Sequence, residues 1–108
     1  MKVVLVALNS RYTHSNLAVR YLRNEVRRTG HEAVIREFSV NQDHYDILNM
    51  IADERPDVVA LSVYIWNTRH VSALIRDLKQ ILPHSIIILG GPEAGYDADR
   101  WIRVFPEI

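Results

Sequence analysis

Three short segments hold the side chains best suited to grip a ligand. The first runs Asn9, Ser10, Arg11, Tyr12, Thr13, His14, Ser15, Asn16. Its hydroxyls, amides, imidazole and guanidinium can form a polar mouth. Thr13 or Ser15 can equally cap a following helix, because their oxygens accept from its first free amides. The second segment is Ser62, Val63, Tyr64, Ile65, Trp66, Asn67. Ser62 is a small hydroxyl among large apolar neighbours; it leaves room for a ligand and offers one hydrogen bond, or it is a tolerated core serine. Tyr64 and Trp66 can wall a site or pack over the end of a sheet. The third segment is Gly90, Gly91, Pro92, Glu93, Ala94, Gly95, Tyr96. Paired glycines let a backbone turn sharply and let a ligand lie against it, and a turn with no ligand uses them too. Glu93, the one carboxylate of this segment, can pair with Arg11, touch a ligand or face solvent. These residue types point to binding, and no catalytic residue is assigned.

The elements that must position these segments alternate along the chain. Residues 2–8 are a β-branched run without polar alternation, which reads as a strand buried on both faces of a parallel sheet. Leu17, Ala18, Tyr21, Leu22 and Val26 recur at helical spacing before Gly30. Residues 31–38 form a more alternating strand, expected nearer an edge. Asp43 can cap a helix that buries Ile47, Leu48 and Ile51 and is stopped by Pro56. Residues 57–65 are the third strand, with Ser62 and Tyr64 on one face. Asn67 or Thr68 can cap a third helix with the stripe Val71, Leu74, Ile75, Leu78 and Leu82, closed by Pro83. Residues 85–89 are the fourth strand, and Asp97 can cap a last short helix carrying Trp101, Val104 and Phe105. Such β/α alternation implies a three-layer α/β/α, doubly wound parallel sheet of the flavodoxin-like kind, with ligands bound beyond the carboxyl ends of its strands.

Composition removes several classes. Lys+Arg and Asp+Glu each number 13, a balance unlike the basic excess of a general nucleic-acid binder. With no cysteine, the chain has no thiolate for a disulfide, zinc site or iron–sulfur cluster. No apolar run approaches the roughly 20 residues of a membrane span, and residues 1–8 do not read as a signal peptide; the expected compartment is the cytoplasm. Residues 8–17 contain no glycine, which argues against a Gly-x-Gly-x-x-Gly dinucleotide loop or a P-loop. Asn9 and Tyr64 stand where a phosphoacceptor receiver needs acids. The bulky Arg11, Tyr12 and His14 depart from a flavodoxin phosphate loop, although Ser10, Thr13 and Ser15 imitate one weakly.

Taken in order, three stretches resemble the cobalamin-binding domains that precede the catalytic barrel in one class of radical SAM enzymes. They are residues 7–18 with Arg20, Tyr21 and Leu22, residues 61–67, and residues 89–93. The similarity covers essentially the whole chain, and the anaerobic magnesium-protoporphyrin ester cyclase is a relative in architecture. The resemblance implies that Ser62 matches the family's serine near the nucleotide tail of cobalamin, and that Gly90 and Gly91 match the glycine pair lying against that tail. It further implies cofactor contacts from Asn9, Ser10, Tyr12, Thr13, His14, Val63, Tyr64, Trp66, Pro92 and Glu93. In mutases and methionine synthase the first loop is Asp-x-His-x-x-Gly, whose histidine ligates cobalt. The same alignment places Asn9, Arg11 and His14 there, so no histidine ligand to cobalt is expected.

The resemblance also implies that radical chemistry belongs to a following barrel carrying an iron–sulfur cluster and S-adenosylmethionine. The parent would then be a methyltransferase or an oxidative cyclase-like enzyme with a small-molecule substrate. Residues 1–108 are read as one cobalamin-binding-like domain, non-catalytic by itself and a piece of a longer protein. A four-stranded version leaves the apolar strand at 85–89 on an open edge, where a fifth strand would be expected. Two alternatives stay open: a cofactor-free scaffold or substrate-docking domain of the same enzyme class, and a flavin- or nucleotide-binding flavodoxin-like domain.

Overall fold

In a computed structural model, residues 1–9, 17–64 and 66–108 are described, apart from the side chains of Leu17, Ala18 and Glu93. The first strand, β1 (Lys2–Asn9), is buried from Val4 to Leu8, as a strand covered on both faces must be. It pairs in parallel with β2 (Glu32–Ser39) on one side and with β3 (Val58–Ser62) on the other. β4 (Ile86–Gly90) adds beyond β3, so the order is β2-β1-β3-β4. The strands are linked in turn by α1 (Leu17–Arg28), α2 (His44–Asp53) and α3 (Thr68–Ile81), followed by the short α4 (Pro92–Tyr96) and α5 (Ala98–Val104).

Alternate side chains of each strand go to opposite faces. Val4, Val6 and Leu8 join Val59, Leu61 and Ile87 in the main core, beneath α2, α3 and α5. Leu5 and Ala7 meet Val19 of α1 on the other face in a much smaller cluster. The molecule is therefore a three-layer, doubly wound α/β fold of the flavodoxin-like kind, with its two faces unequally covered.

Local chemistry accounts for the helices. The Asp43 carboxylate accepts from the amides of Tyr45 at 2.9 Å and Asp46 at 3.2 Å, capping α2, whose Ile47, Leu48 and Ile51 are buried. Val71, Leu74, Ile75 and Leu78 of the α3 stripe are buried, while Leu82, expected as its last member, is the C-cap residue and only partly buried. The α1 stripe is rotated from its expected line. Among the described side chains of α1, Val19 is the buried one, while Tyr21 is 72% and Leu22 51% exposed. The helix touches the sheet through Val19, and its far end is held by Arg27, which donates to the Ala33 carbonyl at 3.2 and 2.9 Å. Trp101 of α5 and Phe105, its C-cap residue, are buried and stack at 5.3 Å, but Val104 is exposed because it lies off the line that joins them. Asp97 precedes this helix without a side-chain capping bond.

Several boundaries differ from expectation, β2 among them by one residue at each end. The third strand ends at Ser62 and does not reach 65, because Asn67 Oδ1 takes the Tyr64 amide at 2.8 Å and Tyr64 O takes the Asn67 amide at 3.1 Å. Ser62 and Tyr64 therefore do not share a strand face. The fourth strand is shifted one residue, since the Ser85 hydroxyl is bonded to Pro56 O at 2.6 Å and the ladder runs through Gly90. The segment after it, expected as a loop, contains α4, opened by Pro92 at a position where a missing amide costs nothing. β4 is an edge strand with Ile86 and Ile88 about half exposed, as expected for an open edge.

Candidate functional site

β1 and β3 feed helices on opposite faces, so the switch in winding falls between their carboxyl ends, where this architecture opens a crevice. The ladder between them runs from Val3 and Val58 to Val6 and Leu61. Asn67 lies just past that point with 0% exposure. Its Nδ2 donates to Leu8 O at 3.1 Å and to Ser62 O at 3.0 Å, and its Oδ1 accepts from the Tyr64 amide. Asn67 occupies the N-cap position of α3, but its side chain makes no capping bond because it is committed to this junction. Thr68, the other capping candidate, turns its hydroxyl back to Tyr64 O at 2.9 Å.

Ser62 and Gly90 are register partners at the ends of β3 and β4. Both lie at the rim of a groove of about 380 Å³ on the α1 face, with Ala60 and Ile88 along the sheet and Leu22 and Val26 on the helix. Among the described residues, Ser62 supplies the one polar side chain of this lining. The groove exists because Ala60 and Ser62, two residues apart on one strand face, are both small, and because α1 rests on β1 and β2 and leaves β3 and β4 bare.

The two glycines have different jobs. A Cβ on Gly90 would meet nothing within 4 Å, so its bareness keeps the groove mouth open. A Cβ on Gly91 would fall 2.6 Å from Val63 O, and Gly91 sits at φ 93°, in the left-handed region that favours glycine. Gly91 thus serves the turn itself, while Val63 N donates to Gly90 O at 2.7 Å and draws the two strand ends together.

The other expected contact residues divide plainly. Val63 reaches the rim through its backbone only, since its side chain is fully buried in the main core. Tyr64 and Trp66 do form an aromatic unit, stacked at 4.6 Å and 4° between planes. Trp66 is half exposed and its indole N–H reaches Leu8 O at 3.4 Å. Asn9 closes β1, half-buried, with its carbonyl accepting from the Val40 amide at 2.9 Å. Pro92 is exposed at the start of α4. Ser10, Tyr12, Thr13 and His14, with Arg11, lie outside the described residues, as does the Glu93 side chain. Sequence reasoning missed the buried role of Asn67 and the groove wall made by Ala60, Leu22 and Val26. The small pair Ala60 and Ser62 at strand spacing was the available signal.

The donor set suits a bulky ligand with an apolar, flat tail and a few polar edges. It offers an apolar trough, one hydroxyl at its mouth, an open glycine beside it and stacked rings nearby. Among the described residues no three His, Asp or Glu side chains gather as a metal site, and no helix is long and apolar enough to cross a membrane. The chain superposes on a novel cobalamin-binding protein from Desulfitobacterium hafniense DCB-2 with a TM-score of 0.69 and 16% identity, a likeness of fold. The match covers 94% of this chain and 49% of that one, so the chain spans about half the length of that protein. No curated protein matches it. The model of the B12 binding domain matches residues 3–106, nearly the whole chain, and the chain belongs to that family.

Proposed function

We propose that this chain binds cobalamin with the nucleotide tail laid past Ser62 and Gly90 into the α1-side groove. The observation that carries the reading is the pairing of an open glycine with a small hydroxyl at the mouth of an otherwise apolar trough. Ser62 would give the tail one hydrogen bond, Ala60 and Ile88 would bed its flat part, and the Tyr64–Trp66 stack would border the crevice. When bound, cobalamin supplies a cobalt centre able to carry a methyl group or an electron. The chain's own share is to bind, orient and shield it.

Titration with hydroxocobalamin tests this. The bound cofactor should show a shifted visible spectrum, and Gly90→Val should abolish the shift in a chain that still folds. Absence of binding at tens of micromolar by the unaltered chain refutes the reading. A cofactor-free scaffold predicts no ligand response in any variant, and a flavin site predicts quenching of flavin mononucleotide fluorescence on titration.

We further propose that the chain is the N-terminal domain of a radical SAM enzyme acting on a small molecule. The ordered resemblance of its three segments supports this. The iron–sulfur cluster and S-adenosylmethionine would belong to a barrel following this domain. Anaerobic purification of the full gene product, with iron and sulfide analysis and electron paramagnetic resonance, should reveal a reducible cluster. A full-length protein without iron would end this second proposal and leave the first intact.

A further inference from the structure

We infer that Asn67 is a positioning residue that sets the width of the cofactor crevice, an inference that rests on the cobalamin reading above. Successive carbonyls of a parallel strand point to alternate neighbours. Asn9 O is turned to the β2 side, where it accepts from Val40, and the Val63 amide is turned to β4, where it meets Gly90 O. The intervening carbonyls of Leu8 and Ser62 therefore face the gap between β1 and β3, two residues and one residue past the last register pair.

Asn67 spans that gap with one N–H to each carbonyl, at 3.1 and 3.0 Å, and holds the Tyr64 amide with its oxygen at 2.8 Å. Both of its donors are spent on the two strand ends. Asn67 is 0% exposed, so no solvent shares these bonds in the folded chain. One carboxamide thus fixes the end of β1, from which the 10–16 segment leaves, against the end of β3, which carries the Ser62 hydroxyl. The carboxyl ends of β1 and β3 take their spacing from it. Aspartate cannot replace it, since a carboxylate would set like partial charges against both carbonyls.

The test is hydroxocobalamin titration of the full chain and its Asn67→Ala, Asn67→Ser and Ile51→Val variants, each at a temperature where circular dichroism shows it folded. Ile51 is fully buried on α2 in the core beneath the opposite face, so Ile51→Val controls for lost stability alone. Asn67→Ala should raise Kd about tenfold or more, the scale of a buried carbonyl losing its partner. Its bound spectrum should also move toward that of free cobalamin. Asn67→Ser, which keeps one donor, should fall between it and the unaltered chain and serves alone if Asn67→Ala does not fold. Ile51→Val should leave Kd and the spectrum unchanged. An unchanged Kd in the Asn67 variants, or an equal loss in Ile51→Val, overturns the inference alone. Failure of the unaltered chain to bind overturns the cobalamin reading and this inference with it.

Discussion

Ser62 stands directly across the β3–β4 pair from Gly90, and the Val63 amide to Gly90 carbonyl bond of 2.7 Å locks that opposition in place. A hydroxyl and an empty Cα face are thereby held one strand spacing apart at the mouth of the groove. Replacing Ser62 with alanine should weaken hydroxocobalamin binding about fivefold, the worth of one hydrogen bond near 1 kcal/mol. Ser62→Leu should weaken it further by filling the mouth. Isothermal titration of both variants checks the order, and Ser62→Ala binding as tightly as the unaltered chain would remove the hydroxyl from the site.

Neighbouring glycines should separate stability from binding. Gly91→Ala places a Cβ 2.6 Å from Val63 O at positive φ, so it should cost about 2 kcal/mol or more and lower the melting temperature by several degrees. Gly90→Val meets no protein atom at Cβ, so its melting temperature should stay close to that of the unaltered chain while cobalamin affinity collapses. Thermal melts beside titrations decide the matter; equal destabilisation by both variants would contradict the division of labour.

The groove can be filled from the helix side. Leu22 is 51% exposed and lines the trough, so Leu22→Trp adds bulk without disturbing packed core. Its effect on stability should stay within about 0.5 kcal/mol, as for other surface changes. Cobalamin affinity should fall at least tenfold. Chemical denaturation with parallel titration measures both, and an unaltered affinity would place the tail elsewhere.

Stability itself should be governed from the opposite face. Asp43→Ala removes the cap that accepts two amides of α2 and should cost about 1 kcal/mol. Ile51→Ala, in the main core, should cost about 2–5 kcal/mol, a large part of the roughly 5–15 kcal/mol available to a small domain. Urea titration should rank Ile51→Ala as the worse of the two. The reverse ranking would mean that the α2 core can close over the cavity.

Much of this protein was legible without coordinates, because it is local. The uninterrupted apolar run of β1, the Asp43 cap and the α3 stripe each follow from residue type and spacing over a few positions, and their alternation dictates a doubly wound sheet. Ser62 and the glycine pair were readable as candidates for the same reason: a small residue at an apolar strand end is conspicuous in one dimension.

Tertiary structure alone decided what those residues do. That Gly90 faces open space while Gly91 faces Val63 depends on where the end of β3 lies relative to the turn, with Val63 28 residues before Gly91 in the chain. The rotation of α1, which buries Val19 and leaves Leu22 over a groove, depends on how the helix rests on two strands, a choice that helical periodicity does not contain. Asn67 looked like a helix cap because local rules make it one; its partner Leu8 is 59 residues earlier, and only the meeting of β1 with β3 turns a cap into a clamp.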